Sequence, residues 1–209
     1  MAQSPLRLHE KSRSSLPIEY STPENDLRIV GFWIFLAAEL VLFGTLFATY
    51  LVLQSHTAGG PAPKDLFEVG PVMIETIVLL VSSFTCGLST IELRRHNKKG
   101  LIFWLIVTVL LGLVFIGFEV NEFYTYAAHE GATLSSSAFL SGFFVLLGTH
   151  GCHVSLGIIW ITGLIIQIAK RGVTPVTARK AFIVGLYWHF LDVVWIFIYT
   201  AVYLTGWVM

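Results

Sequence analysis

Five stretches of the chain are apolar at nearly every position and long enough to cross a hydrocarbon core, which takes about 20 such residues. They are 29–53, 72–91, 101–120, 138–169 and 181–208. Within each stretch the apolar side chains cover all faces of a helix, which suits lipid and not a half-wet surface. The fourth is long enough, at about 1.5 Å per residue, to reach about 48 Å, so it must tilt or protrude. The pattern therefore predicts an all-α polytopic membrane protein of five helices. Ahead of it, residues 1–28 form a leader rich in Ser, Pro and charge, expected to be poorly ordered without a partner. The first apolar stretch is too long for a signal-peptide core and has no small-residue cleavage site behind it.

Composition strengthens this picture. Of 209 residues, 55% are hydrophobic and 12% charged, about half the charged fraction of ordinary soluble domains. The formal net charge is zero, so the balance points to no nucleic-acid partner. The position of the charges is more informative than their sum. Arg7, Lys11, Arg13 and Arg28 lie in the leader, Arg94, Arg95, Lys98 and Lys99 follow helix two, and Lys170, Arg171, Arg179 and Lys180 follow helix four. Lys64 alone falls on the other side, so twelve of the thirteen basic residues share one side. Short basic loops stay in the cytoplasm, which predicts a cytoplasmic N-terminus and an extracytoplasmic C-terminus.

Ionisable residues inside a bilayer are costly and mark functional or partner-facing positions. Glu39, His150, His153, His189 and Asp192 fall near mid-depth, and Glu75, Glu119 and Glu122 form an outer layer near the external ends of helices two and three. Residues three apart share a helix face, which aligns His150 with His153, His189 with Asp192 and Glu119 with Glu122. An interhelical polar network of His150, His153, His189 and Asp192 follows, and a carboxyl such as Glu39, if unpartnered there, stays protonated. The residues leave three readings open: polar glue between helices, a haem or metal site built on the histidines, and a proton or ion path through Glu39. Gly142, Gly148, Gly151, Gly157 and Gly163 of helix four read as close-packing positions. Trp104, Tyr124, Tyr126, Tyr203 and Trp207 read as an interfacial belt, whereas Trp188 and Trp195 lie deeper. The segment 57–63, Thr-Ala-Gly-Gly-Pro-Ala-Pro, reads as a turn-rich external connection. Cys86 and Cys152 fall inside helices without CxxC spacing and are expected to pack.

At four places the wording is specific. The stretch Gly31-Phe-Trp-Ile-Phe-Leu-Ala-Ala-Glu-Leu-Val-Leu-Phe-Gly-Thr-Leu-Phe-Ala-Thr-Tyr50, the pair Glu119-Val-Asn-Glu122, the core Gly148-Thr-His-Gly-Cys-His-Val154 and the run Tyr187-Trp-His-Phe-Leu-Asp-Val-Val-Trp195 appear in this order. Together they resemble subunit III of haem–copper respiratory oxidases, in the five-helix bacterial form. The external loop and the run 128–138, Ala-His-Glu-Gly-Ala-Thr-Leu-Ser-Ser-Ser-Ala, look most like the quinol-oxidase branch. A cytochrome c oxidase subunit III of the same architecture is the alternative, and a free-standing small proton or ion transporter a more distant one. The resemblance implies a supporting subunit with no catalytic residue, metal ligand or cofactor of its own. Haem and copper then belong to subunit I, and the haem reading of the histidines falls away. It further implies direct packing on subunit I, association with subunit II and a small subunit IV, bound phospholipid, help with proton uptake, and location in the bacterial cell membrane. Glu39 matches the family's buried helix-one carboxylate, for which structural or lipid-adjacent support is the expected role.

Overall fold

The computed structural model describes residues 17–57, 69–129 and 136–208. Lys64, Arg7, Lys11, Arg13, most of the external connection 57–63 and the central part of the run 128–138 lie outside them, as does the Trp207 side chain. Five long helices carry the chain: α1 (Pro23–Leu53), α2 (Val69–Arg94), α3 (Lys98–His129), α4 (Ala138–Arg171) and α5 (Pro175–Ile198). After α5 the chain continues as a π-helical segment, Tyr199–Leu204, and a last turn, Thr205–Val208. Among the described residues there is no strand, and all five helices are long and apolar enough to span a bilayer.

Each helix runs past its apolar stretch, for reasons visible at the ends. Helix α1 begins inside the leader, where Thr22 accepts a hydrogen bond from the Asn25 N–H and Pro23 takes the first turn, positions that suit a capping hydroxyl and a residue without an N–H. Thr174 and Thr177 form a reciprocal capping box at the start of α5, again followed by proline. Helix α4 stops at Gly172, whose φ of 75° is a left-handed conformation open to glycine. Helix α3 continues nine residues beyond position 120 because its polar side chains find partners inside the bundle. Glu119 and Glu122 therefore lie well within α3 and not at its end.

The buried positions repeat every seven residues. Ile29, Leu36, Phe43 and Tyr50 form the inner stripe of α1, and Val72, Leu79, Cys86 and Leu93 that of α2. On α4, Leu140, Leu147, Val154, Ile161 and Ile168 do the same, and on α5 Ala181, Trp188, Trp195 and Val202. A strict seven-residue repeat is the signature of left-handed helix packing at shallow angles. Helix α5 is the most enclosed, touching α1, α2 and α4, while α2 and α3 pair closely and α1 packs mainly on α4 and α5. The outer face of α1 carries Leu27, Ile34 and Val41 in the open.

One end of the bundle is tied by polar contacts. The Arg94 guanidinium donates to the fully buried Glu19 carboxylate at 2.9–3.0 Å, the Lys98 ammonium to the Ala169 carbonyl, and Arg179 to the Asn25 side chain at 2.7 Å. The short turn Ile18–Tyr20 is tied to the end of α2 by the Glu19–Arg94 pairing and packs on α5 through the Tyr20–Phe182 ring contact. Burial, reinforced by the Glu19 charge, raises the Tyr20 phenol above its ordinary value of 10.0.

Candidate functional site

Helix α1 brings Glu39 to its seam with α4, where a Glu39 oxygen lies 3.1 Å from His153 Nε2. Both side chains are mostly, not wholly, enclosed, at 14% and 19% exposure. The contact is short but poorly aligned as a hydrogen bond. On the other side of the ring, Nδ1 lies 2.7 Å from the Thr149 carbonyl. A carbonyl only accepts, so Nδ1 carries a proton. Nε2 then faces the Glu39 carboxyl across the α1–α4 seam. Tyr187 donates to the His153 carbonyl and joins α5 to the same corner. Glu39 thus stands against an imidazole of α4 at mid-depth.

The remaining mid-depth residues do not join that pair. His189 of α5 meets Ser83 of α2, whose Oγ lies 2.7 Å from His189 Nδ1, and Asp192 lies one turn further along α5. His150 makes no hydrogen bond at either ring nitrogen. It is completely buried among Phe43, Phe115 and Trp195, the last stacked on it at 5.4 Å. The single network expected from His150, His153, His189 and Asp192 is therefore corrected to two separate pairs and one aromatic-boxed imidazole. The physical reason is helix rotation. His153 faces α1, His189 faces α2, and the bulky Phe43 stands between the α4 and α5 groups, touching His150, His153 and Phe190.

The outer carboxylates do converge. Glu122 accepts from Tyr126 at 2.6 Å and from Tyr203 at 2.9–3.0 Å, and Glu75 and Glu119 lie close enough to interact with it electrostatically. Glu75 and Glu119 are buried. Tyr126 and Tyr203, expected in an interfacial belt, are instead internal partners of this acid cluster. The π-helical segment turns Tyr203 inward, whereas Tyr124 stays exposed and Trp104 half-buried.

The glycines of α4 act as seats for neighbours. A Cβ at Gly151 would meet the Glu119 carboxyl, one at Gly157 the Trp188 and Tyr187 rings, and one at Gly142 the α1 backbone at Tyr50. Gly148 barely touches Phe123 and Gly163 faces open space. Trp188 and Trp195 both pack within this chain, their indoles donating to Ser82 and Thr76 of α2. Cys86 is in the core, but Cys152, expected to pack, is exposed. Sequence reasoning missed Thr76, Ser82, Ser83 and the buried Thr85–Thr108 pair. Hydroxyls are tolerated in membrane helices because they can bond the preceding turn, so only the run 82–85, Ser-Ser-Phe-Thr, hinted at a polar seam. Among the described residues no three His, Cys, Asp or Glu side chains are grouped to hold a metal ion.

The chain can be set beside known proteins. The profile of the family described as "Cytochrome c oxidase subunit III" matches residues 21–207. "Quinol oxidase subunit 3" of Bacillus subtilis (strain 168) is 61% identical over 197 residues, covering 94% of this chain and 96% of the relative. Its counterpart of the same name in Bacillus spizizenii is also 61% identical, with the same coverage. "Probable quinol oxidase subunit 3" of Staphylococcus epidermidis is 53% identical over 196 residues, 93% of this chain and 97% of the relative. The match runs through all five helices and the residues just described, and this chain belongs to the cytochrome c oxidase subunit III family.

Proposed function

We propose that this chain is subunit III of a quinol oxidase, a multi-pass component of a bacterial cell-membrane complex that oxidises quinol and reduces dioxygen to water. The observation that carries the reading is 61% identity to a quinol oxidase subunit 3 over 94% of the chain. In that complex haem and copper, held in subunit I, supply the electron transfer and oxygen chemistry. This subunit packs on subunit I, associates with subunit II and a small subunit IV, binds phospholipid, and sustains complex stability and proton uptake. Its polar groups support that role by bonding one another: Ser82, Ser83 and Thr76 lock α2 to α5, and Glu39 with His153 locks α1 to α4. Such contacts are worth about 1 kcal/mol each in a membrane. Glu39 serves as structural, lipid-adjacent support; its partial exposure at the seam agrees with that position.

The end at which Arg94, Lys98 and Arg179 gather is cytoplasmic, by the concentration of short basic loops there, and the π-helical end of α5 is extracytoplasmic. The leader, residues 1–28, precedes the five-helix domain on the cytoplasmic side.

The experiment is affinity purification of the tagged chain from native membranes in mild detergent, with partners identified by mass spectrometry and oxygen uptake measured with quinol and with reduced cytochrome c. Co-purification with a haem–copper subunit I and quinol-driven oxygen uptake is the expected result. Uptake driven only by cytochrome c would make this chain a subunit III of the other donor class. Recovery of the chain alone would overturn the reading in favour of a free-standing transporter.

A further inference from the structure

Between α1 and α5 lies a groove of about 600 Å³, formed by Trp33, Phe43, Gly44, Phe190, Phe197 and neighbouring aliphatic residues. It has the size and the overwhelmingly apolar lining of a small-molecule site. Its lining includes one imidazole, that of His189. From Lys180 at the basic end of α5, His189 is nine residues along, about 13 Å at 1.5 Å per residue, so it sits near the middle of a hydrocarbon core about 30 Å thick. Phospholipid esters and phosphates lie at the edges of that core. Their acyl chains offer nothing to an imidazole at the centre, where an unpartnered polar group is costly.

The contacts behind His189 define what it can offer. Nδ1 is engaged by Ser83, at 2.7 Å. Nε2 makes no hydrogen bond among the described residues. A neutral imidazole has one donor and one acceptor nitrogen. When the Ser83 hydroxyl points at Nδ1, Nε2 carries the proton and donates into the groove. In the other neutral tautomer, with the proton on Nδ1 and not on Nε2, Nδ1 donates to Ser83 Oγ and Nε2 accepts from the groove. Exchange of tautomer, which Ser83 accommodates as either donor or acceptor, therefore lets the same nitrogen meet a carbonyl or a phenolic O–H. Those are the two faces of one class of membrane-soluble molecule, the quinone and the quinol, whose ring is flat, apolar and able to reside at mid-depth.

We infer that the α1–α5 groove is a non-catalytic holding site for an isoprenoid quinone, its ring against the aromatic walls, one ring oxygen on His189 Nε2 and its tail along α1. The site binds both redox states and exchanges no electrons. This inference rests on the chain serving a quinol-handling complex.

The test uses the intact complex in lipid nanodiscs, irradiated with a photoreactive naphthoquinone carrying a short isoprenoid tail, with peptides mapped by mass spectrometry. Labelling of segments 33–47 and 186–197 of this chain is expected, competed away by excess unlabelled naphthoquinone of the same tail. Gly44→Leu should abolish it by filling the groove, since a side chain at Gly44 meets nothing within 4 Å; Ala37→Leu on the same wall serves if that variant fails to assemble. His189→Leu should weaken labelling about tenfold. The inference is overturned by labelling confined to other subunits, by labelling unchanged in the filled groove, by equal labelling and competition with a photoreactive phospholipid, or by a partner helix cross-linked into the groove. Quinol-driven oxygen uptake without label in this chain defeats this inference alone, whereas loss of quinol-driven uptake in the unaltered complex defeats the functional reading beneath it.

Discussion

Trp188 is a tightly held wedge in the bundle, and overpacking it is a direct test of how the five helices are held. Its ring is confined on three sides: the indole N–H donates to Ser82 at 2.9 Å, Gly157 sits against one edge, and Gly112 against the other. A Cβ at Gly112 would lie 2.8 Å from Trp188 Cη2 and 3.0 Å from Cζ2, with Ile158 at 3.3 Å. The ring has nowhere to withdraw, because a Cβ at Gly157 would already stand 3.0 Å from its opposite edge. Gly112→Ala should therefore cost about 1–3 kcal/mol, as overpacking in filled cores does. Trp188→Phe should cost about 2 kcal/mol, half from the cavity left by the lost ring and half from the stranded Ser82 hydroxyl. In the double variant the alanine methyl enters the space the indole vacated, so the losses should fall short of their sum by about 1–2 kcal/mol. The assay is unfolding in mixed micelles at increasing dodecyl sulfate, with thermal melts of the purified complex alongside. A loss of about 2–4 °C per kcal/mol is the scale for a chain of this size. Strictly additive losses, or a Gly112→Ala protein as stable as the parent, would refute the wedge argument.

Other outcomes follow from the same geometry. Glu39→Gln keeps a donor toward His153 Nε2, so it should retain most oxygen uptake and lose no more than about 1 kcal/mol of stability; abolished uptake in a fully assembled complex would assign Glu39 an obligate role. Gly151→Ala should drive a methyl into the Glu119 carboxyl and destabilise by about 1–3 kcal/mol, with Glu119→Ala restoring stability in the pair. If Glu119→Ala gives no rescue, the seat has been misidentified. Arg94→Ala leaves the buried Glu19 without its partner and should free the Ile18–Tyr20 turn, read as faster proteolysis at the N-terminus with unchanged melting of the helices. The same turn should respond to alkali. Because the Tyr20 phenol lies above its ordinary 10.0, the docked turn holds that proton more tightly than the free chain. Its contribution is complete below about pH 10 and is lost as the pH rises through the raised value. Tyr20→Phe should remove this pH dependence from the proteolysis profile.

Helix number and class were readable in the chain because a bilayer accepts only segments that satisfy their own backbone, and that demand is written as five long apolar runs. The motifs of α1, α4 and α5 carried the family for a related reason: they hold the rare polar residues whose place in a membrane must be specific. The inner face of each helix was not readable. In lipid every face is apolar, so hydropathy cannot separate Leu36 in the core from Ile34 in the open. The seven-residue stripe emerges only once the helices are packed. Helix ends were also under-read, since Thr22 and Thr174 cap through geometry and Glu122 accepts from Tyr203 beyond α5. The polar groups show the limit most clearly. Equal depth along separate helices predicted that His150, His153, His189 and Asp192 would meet, but depth is one coordinate of three. Rotation about each helix axis, set by how Trp188, Phe43 and the α4 glycines interlock, sent His153 to Glu39, His189 to Ser83 and His150 into an aromatic box. Composition decided the solvent in which this protein lives, and packing decided which of its polar side chains find each other there.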